Sequence, residues 1–237
     1  SEVAMVFQDP MTSLNPVRTI GRQLTDPIRF HLKLGRRAAR ERAAELLAQV
    51  GINDPHRRLN QYPHELSGGM RQRVMIAIAL SCSPKLLIAD EPTTALDVTV
   101  QKEILDLLSR LRAELRMAMI LISHDLAVVA GRTDRTMVMY AGRTVEIGPT
   151  PALFARTRHP YTEALLRATP RIDEPSHTRL AVIGGTAPDL VNPPPGCRFA
   201  PRCRRVQARC ETEAPPLVGE PGRDEAAALH RYACFHP

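Results

Sequence analysis

Three short apolar runs in this chain each end abruptly in polar, chemically capable side chains. That pattern constrains the fold more than any other feature. Val3-Ala4-Met5-Val6-Phe7 ends in Gln8, Leu86-Leu87-Ile88-Ala89 ends in Asp90 and Glu91, and Met117 to Ile122 ends in Ser123 and His124. Runs of this length and composition predict buried strands. Helical patterns lie between them. Strands alternating with helices predict a mainly parallel sheet covered on both faces, an α/β class. Ligands of open parallel sheets bind beyond the carboxyl ends of the strands. One amide, two carboxylates and an imidazole are therefore predicted to gather along one rim.

That set suits phosphate, magnesium and a water molecule. Asp90 can hold the metal, directly or through water, and Glu91 can orient or deprotonate an attacking water. His124 can donate to a terminal phosphate as negative charge develops there. Each residue also has an ordinary structural role available: Gln8 as a strand cap, Asp90-Glu91 before Pro92 as a turn, His124 as a structural histidine. Their joint occurrence in this order favours the site.

From about Ile28 to Val50 the pattern is helical and arginine-rich, with an apolar stripe of Ala38, Ala39, Ala43, Leu46 and Leu47, and Gly51 as the closing C-cap. A second helix is predicted from Ser67 to about Cys82, apolar all round from Val74 onward. Its mouth reads Leu66-Ser67-Gly68-Gly69-Met70-Arg71-Gln72-Arg73. Two glycines there let backbone N–H groups approach an anion, which the helix N-terminus favours, and the Ser67 hydroxyl can join them. Ser67 can equally serve as an N-cap and the glycines as a turn. Ile104, Leu108, Leu111 and Leu115 mark an amphipathic helix. A short helix follows Asp125, and Thr136–Tyr140 with Thr144–Ile147 form a hairpin across Ala141-Gly142. Two short helical pieces after Pro149 lead into a proline-rich tail.

Composition excludes several classes. The net charge is +7, mostly arginine, with lysine only at Lys33, Lys85 and Lys102. Aromatics are 4% with no Trp, and the arginines are dispersed, so no nucleic-acid partner is expected. The longest apolar run, Val74–Leu80, is too short to span a bilayer. No leader pattern is present.

Leu66–Arg73 resembles the signature of ABC ATPases. Leu86–Glu91 looks like their Walker B strand with the catalytic glutamate, Ala95-Leu96-Asp97 like the D-loop, and Gln8 and His124 like the Q-loop glutamine and switch histidine. Met70, the segment Phe7–Pro16, and His159-Pro160-Tyr161-Thr162-Glu163-Ala164-Leu165-Leu166 are similar to the oligopeptide and dipeptide importers. The resemblance implies a partial P-loop NTPase (RecA-like) core at 1–8 and 85–149. It also implies an inserted ABC α-helical subdomain at 9–84 and a small irregular Cys-bearing C-terminal extension at 150–237.

By the same resemblance the protein is an ATPase using ATP and Mg²⁺ at the cytoplasmic face of the membrane, powering solute import, with peptides the expected cargo. Glu91, His124 and Gln8 are then catalytic, and Asp90 and Gln8 serve magnesium. Ser67, Gly68 and Gly69 serve ATP on a second ABC ATPase subunit, identical or not, and Asp97 links the two sites. Permease subunits are the membrane partners, with an extracytoplasmic solute-binding protein met indirectly. Two other functions fit: a soluble ABC ATPase outside transport, and a truncated non-catalytic subunit lending its signature helix. The chain departs from the family in one respect. It contains no G-x-x-x-x-G-K-[ST] loop, which the family places before the Gln8 strand. With Ser1 rather than Met first, a fragment that binds ATP poorly alone is expected.

Cys197, Cys203, Cys210 and Cys234 are spaced like neither common zinc sites nor the ferredoxin run. Nothing signals secretion, so a metal or cluster is a better expectation than disulfides. In the peptide-importer branch a similar tail implies a [4Fe–4S] cluster; zinc or idle thiols are the alternatives. His230 or His236 could replace a cysteine ligand, and Cys82 is expected in the core.

Overall fold

The computed structural model describes residues 2–94, 96–169, 181–219 and 229–237. Ala95, within the segment resembling the D-loop, lies outside the described residues. The chain divides into two units, Ser1–His124 and Asp125–Pro237.

In the first unit, β1 (Val3–Val6), β2 (Leu86–Asp90) and β3 (Ala118–Ile122) form a parallel sheet in the order β1-β2-β3. Val6 pairs with Ala89, and Asp90 with Ile122, so the carboxyl ends finish in register. Between β1 and β2 come α1 (Pro10–Ser13), α2 (Ile20–Leu32), α3 (Arg36–Gln49), α4 (Pro55–Arg58), a 3₁₀ turn at Pro63–Glu65 and α5 (Gly68–Leu80). Helix α6 (Val98–Leu115) joins β2 to β3. The core runs through Val6, Leu24, Ile28, Leu47, Val74, Ile76, Leu87, Ile104, Leu108 and Leu111.

One expectation needs correction. The arginine-rich region is two helices rather than one. Helix α2 starts at Ile20, capped by the Thr19 hydroxyl, and runs through Pro27; it stops where Lys33 turns left-handed at φ 55°. Pro27 removes a single intrahelical hydrogen bond, and the burial of Ile20, Leu24 and Ile28 outweighs it. Alternation places Val6, Leu87 and Ala89 inside, whereas Val3, Met5, Ile120 and Ile122 are exposed.

The second unit begins with α7 (Leu126–Ala130), capped by Asp125, and the hairpin β4 (Arg135–Tyr140) and β5 (Arg143–Pro149). The turn puts Ala141 at φ 47° and Gly142 at φ 77°, the two left-handed positions that a tight hairpin of this kind needs. Helices α8 (Thr150–Ala155), α9 (Pro160–Ala168) and α10 (Ala208–Thr212) follow, with two minimal strands, β6 (Val218–Gly219) and β7 (Arg231–Tyr232). These strands extend the hairpin into an antiparallel sheet of order β4-β5-β7-β6.

The described part of the tail packs against the core of the hairpin and α8, to which it contributes Phe199. Val138, Tyr140, Val145, Leu153 and Phe199 are buried together. A buried carboxylate fastens it. Glu146 is fully enclosed and accepts from the backbone N–H groups of Arg158 (2.8 Å) and His159 (3.1 Å) and pairs with His230 Nε2 (2.8 Å). A buried carboxylate is tolerable only with partners of this kind.

Candidate functional site

The parallel register delivers Gln8, Glu91 and His124 to one place. Gln8 Nε2 donates to Glu91 Oε2 at 2.9 Å, and His124 Nδ1 lies 3.1 Å from Glu91 Oε1. Thr94, which the sequence reading missed, donates its hydroxyl to Glu91 Oε2 at 2.9 Å. The Glu91-Pro92-Thr93-Thr94 turn returns the chain on itself, with the Thr94 N–H bonded to the Glu91 carbonyl. The Glu91 side chain is 24% exposed and that of His124 76%, so the carboxylate is sheltered and the imidazole open to solvent.

Glu91 itself is backbone-strained. Its φ of 42° lies in the left-handed region, uncommon for a residue with a Cβ, and such strain collects at functional positions. The Glu91 N–H bonds the Ile122 carbonyl at 3.0 Å, locking the strained residue to the end of β3. Hydrogen bonding to the charged form holds its carboxyl below the usual range: His124 contributes most, then Thr94, against a smaller opposing effect of burial. Asp90 is half-buried at the end of β2, one residue before this cluster.

The glycine-bearing helix mouth is a separate group. Ser67 caps α5, its hydroxyl accepting from the Met70 N–H at 3.4 Å, with Gly68 and Gly69 as the first helical residues. A Cβ on Gly69 would stand 2.8 Å from Val100 Cγ1, so α6 also demands the glycine sterically. Among the described residues no hydrogen bond joins this group to Glu91. Asp97 caps α6, accepting from the Val100 N–H at 3.0 Å. The capping alternative raised for Ser67 thus describes a real interaction, Asp97 makes a comparable one, and neither prevents a further role.

In the second unit Cys197, Cys203, Cys210 and Cys234 line one pocket, together with His236. Burial raises the pKa of the Cys197, Cys203 and Cys234 thiols, and the neighbouring thiols raise it further. His236 Nε2 is buried without a partner. The donor chemistry fits a thiophilic metal group. Even so, among the described residues no three His, Cys, Asp or Glu side chains are arranged to hold a metal ion, so the expected iron–sulfur cluster gains no support from the geometry. His230 is removed from the candidate ligands by its bond to Glu146. Cys82 lies beyond the Ser81 C-cap, half-buried rather than within the apolar helix.

Comparison with known proteins identifies the family. Residues 1–94 match the ABC transporter family, and residues 145–210 match the oligopeptide/dipeptide transporter C-terminal region. A protein of Brucella abortus (strain 2308), provisionally named a peptide import ATP-binding protein, is 56% identical over 222 residues, 94% of this chain and 67% of that protein. A similarly named protein of Brucella melitensis biotype 1 is 54% identical over 223 residues, 92% of this chain and 66% of its own length. Among solved structures, an ATP-binding cassette dimer bound to ADP and Pi after hydrolysis matches with TM-score 0.56 and 30% identity, over 63% of each chain. The cbiO1 protein of Clostridium perfringens, part of the ABC transporter complex cbiONQ, matches with TM-score 0.57 and 32% identity, over 65% of this chain and 59% of its own. The chain belongs to the ABC transporter ATP-binding proteins, in their oligopeptide/dipeptide branch. It spans about two thirds of the length of the curated relatives it matches. Among the described residues no helix is long and apolar enough to cross a membrane.

Proposed function

We propose that this chain forms most of the subunit that hydrolyses ATP to drive solute import, with oligopeptides or dipeptides as cargo. The observation that carries the reading is the convergence of Gln8, Glu91 and His124 at the carboxyl edge of the parallel sheet. Glu91 is the general base, kept ionised at neutral pH by its hydrogen bonds, and therefore able to accept a proton from water. His124, exposed and one hydrogen bond from Glu91, donates to the γ-phosphate once the nucleotide offers a stronger acceptor. Asp90 and Gln8 are the residues that would hold magnesium, which neutralises phosphate charge when bound. Ser67, Gly68 and Gly69 present the N-terminus of α5 to ATP held by a second ABC ATPase subunit, with Asp97 at the boundary. The lysine-bearing loop that such a site also requires is not among these 237 residues.

The peptide assignment draws on the C-terminal region at 145–210 and on the names of the Brucella relatives. On this reading the subunit works at the cytoplasmic face of the membrane against permease subunits, which an extracytoplasmic solute-binding protein loads. The four cysteines are the finer part of the proposal: a [4Fe–4S] cluster as their occupant rests on the all-thiolate donor set and on the likeness of the tail to the peptide-importer branch. Such a cluster, when bound, would cross-link the tail and offer one-electron chemistry. Iron and sulfide in anaerobically purified protein are the expected finding; zinc, or no metal, refutes it.

The deciding experiment on the ATPase is Glu91→Gln in the complete subunit assembled with its membrane partners. ATP binding is expected to persist while turnover drops by about 10²–10⁴-fold, the usual worth of a general base. Undiminished turnover would remove Glu91 from the role.

A further inference from the structure

Outside the nucleotide site, the second unit contains a cavity of about 260 Å³ on the flank of α9. Pockets for drug-sized ligands run to roughly 300–1,000 Å³, so this one suits a small occupant, not a nucleotide. Glu163 and Arg167, one turn apart on α9, form one wall, the chain at 181–184 another, and Phe199 lies among the lining residues with Arg202, Arg204 and Arg205.

The arginines are held differently, and the difference sets the charge. Arg202 is committed to neutral acceptors: Nε donates to the Gly184 carbonyl (2.8 Å), Nη2 to the Ile183 carbonyl (2.9 Å) and Nη1 to the Tyr140 hydroxyl (3.2 Å). These bonds fix the cavity wall without cancelling the guanidinium charge. Arg167 and Arg205 share one carboxylate, that of Glu163, with Arg205 Nη2 at 2.8 Å. Arg204 is exposed and has no acidic partner among the described residues. Among the described residues, four guanidinium groups therefore line the cavity with a single carboxylate. Planar guanidinium donors match phosphate oxygens in pairs, which makes arginine the residue of choice for that anion.

We propose that this cavity is a binding site for a small phosphate-bearing ligand. Phosphate oxygens would take donors from Arg204 and from the outer edges of Arg167 and Arg205, while Arg202 supplies charge and shape. The site is independent of the ATPase reading and uses none of its residues.

The test is isothermal titration of the complete protein with inorganic phosphate, the nucleotide site first saturated with a non-hydrolysable ATP analogue. A parallel arm measures binding to phosphatidylcholine vesicles with and without phosphatidic acid, which separates a free ligand from a lipid headgroup. Saturable one-to-one binding is expected, weakened about tenfold or more in Arg204→Ala and Arg167→Ala, the scale of one lost charge-assisted hydrogen bond. Arg36→Ala, a basic residue of the first unit, should leave it unchanged. Arg204→Ala removes a side chain with no acidic partner, so folding is preserved and the loss can be read directly. Vesicle binding that depends on phosphatidic acid and on Arg204 would assign the phosphate to a headgroup and uphold the site. Phosphate and vesicle binding that are both absent, or that ignore Arg204 and Arg167, would overturn it.

Discussion

His159 should make the second unit acid-labile, and the size of the effect can be worked out in advance. The imidazole is 1% exposed, and burial lowers its pKa from 6.5 to about 4. Its Nδ1 accepts the Tyr161 N–H at 3.1 Å as the N-cap of α9, so the neutral ring is the form that the fold uses. Below pH 6.5 the unfolded chain takes up a proton that the folded chain refuses. Stability is therefore full above 6.5, falls as pH drops, and levels off below about 4, where both states are protonated. At about 1.36 kcal/mol for each tenfold difference in proton affinity, the whole effect is about 3 kcal/mol, of which about 2 kcal/mol develops between pH 7 and pH 4.5.

Urea unfolding followed by tyrosine emission in the presence of reductant is the assay, because Tyr140, Tyr161 and Tyr232 all lie in this unit and only Tyr62 lies outside it. His159→Asn is the paired variant. Asparagine keeps an N-cap acceptor for Tyr161 and does not titrate. It should begin less stable at pH 7, having lost the ring beside Phe199, and lose about 2 kcal/mol less on acidification. Glu146 and His230 remain in both proteins, so the difference between the two slopes isolates His159. Equal slopes would refute the argument.

Other expectations are more local. A Cβ at position 196 would lie 2.3 Å from the Cys210 carbonyl oxygen and 2.6 Å from the Glu211 carbonyl carbon, both immovable backbone. Gly196→Ala should therefore cost about 1–3 kcal/mol or more in urea titrations and break the 2.8 Å bond from the Cys197 N–H to Cys210, exposing thiols to alkylation. Asp97→Ala should cost about 1 kcal/mol as a lost N-cap, and Asp97→Asn should restore that stability. Turnover that Asn does not restore would mark a role beyond capping. His124→Ala should raise the Glu91 pKa toward the ordinary carboxylate value, because His124 is the largest cause of its depression. Carbon-13 NMR titration of glutamate would show this, and an unmoved midpoint would contradict it.

The strand-end residues were legible because a parallel strand is apolar along its length and stops sharply. The first polar residue after each run locates the edge with little ambiguity. The rim of Gln8, Glu91 and His124 could be placed in this way, whereas Thr94 sits in a turn whose return to Glu91 depends on backbone angles that composition does not specify. The break at Lys33 was hidden because lysine is an ordinary helix former and only its φ reveals the stop. Strands β6 and β7 are too short to show a period of two. Glu146 carries no local mark of burial, because its partners come from 12, 13 and 84 residues away.

The strain at Glu91 ties these levels together. A left-handed φ at a non-glycine residue costs of order 1–3 kcal/mol, and the residue before a proline has less conformational freedom still. The chain stays there because the Glu91 N–H continues the β2–β3 ladder one rung past Asp90↔Ile122 while its carboxylate takes three side-chain partners. That rung holds Glu91 in fixed relation to Ile122, and His124 follows two residues later. The distance between proposed base and proposed donor is therefore set by strand register, not by loop flexibility. Substitutions that disturb pairing at Ala89 or Leu121 should then lower turnover while leaving every polar residue of the rim in place.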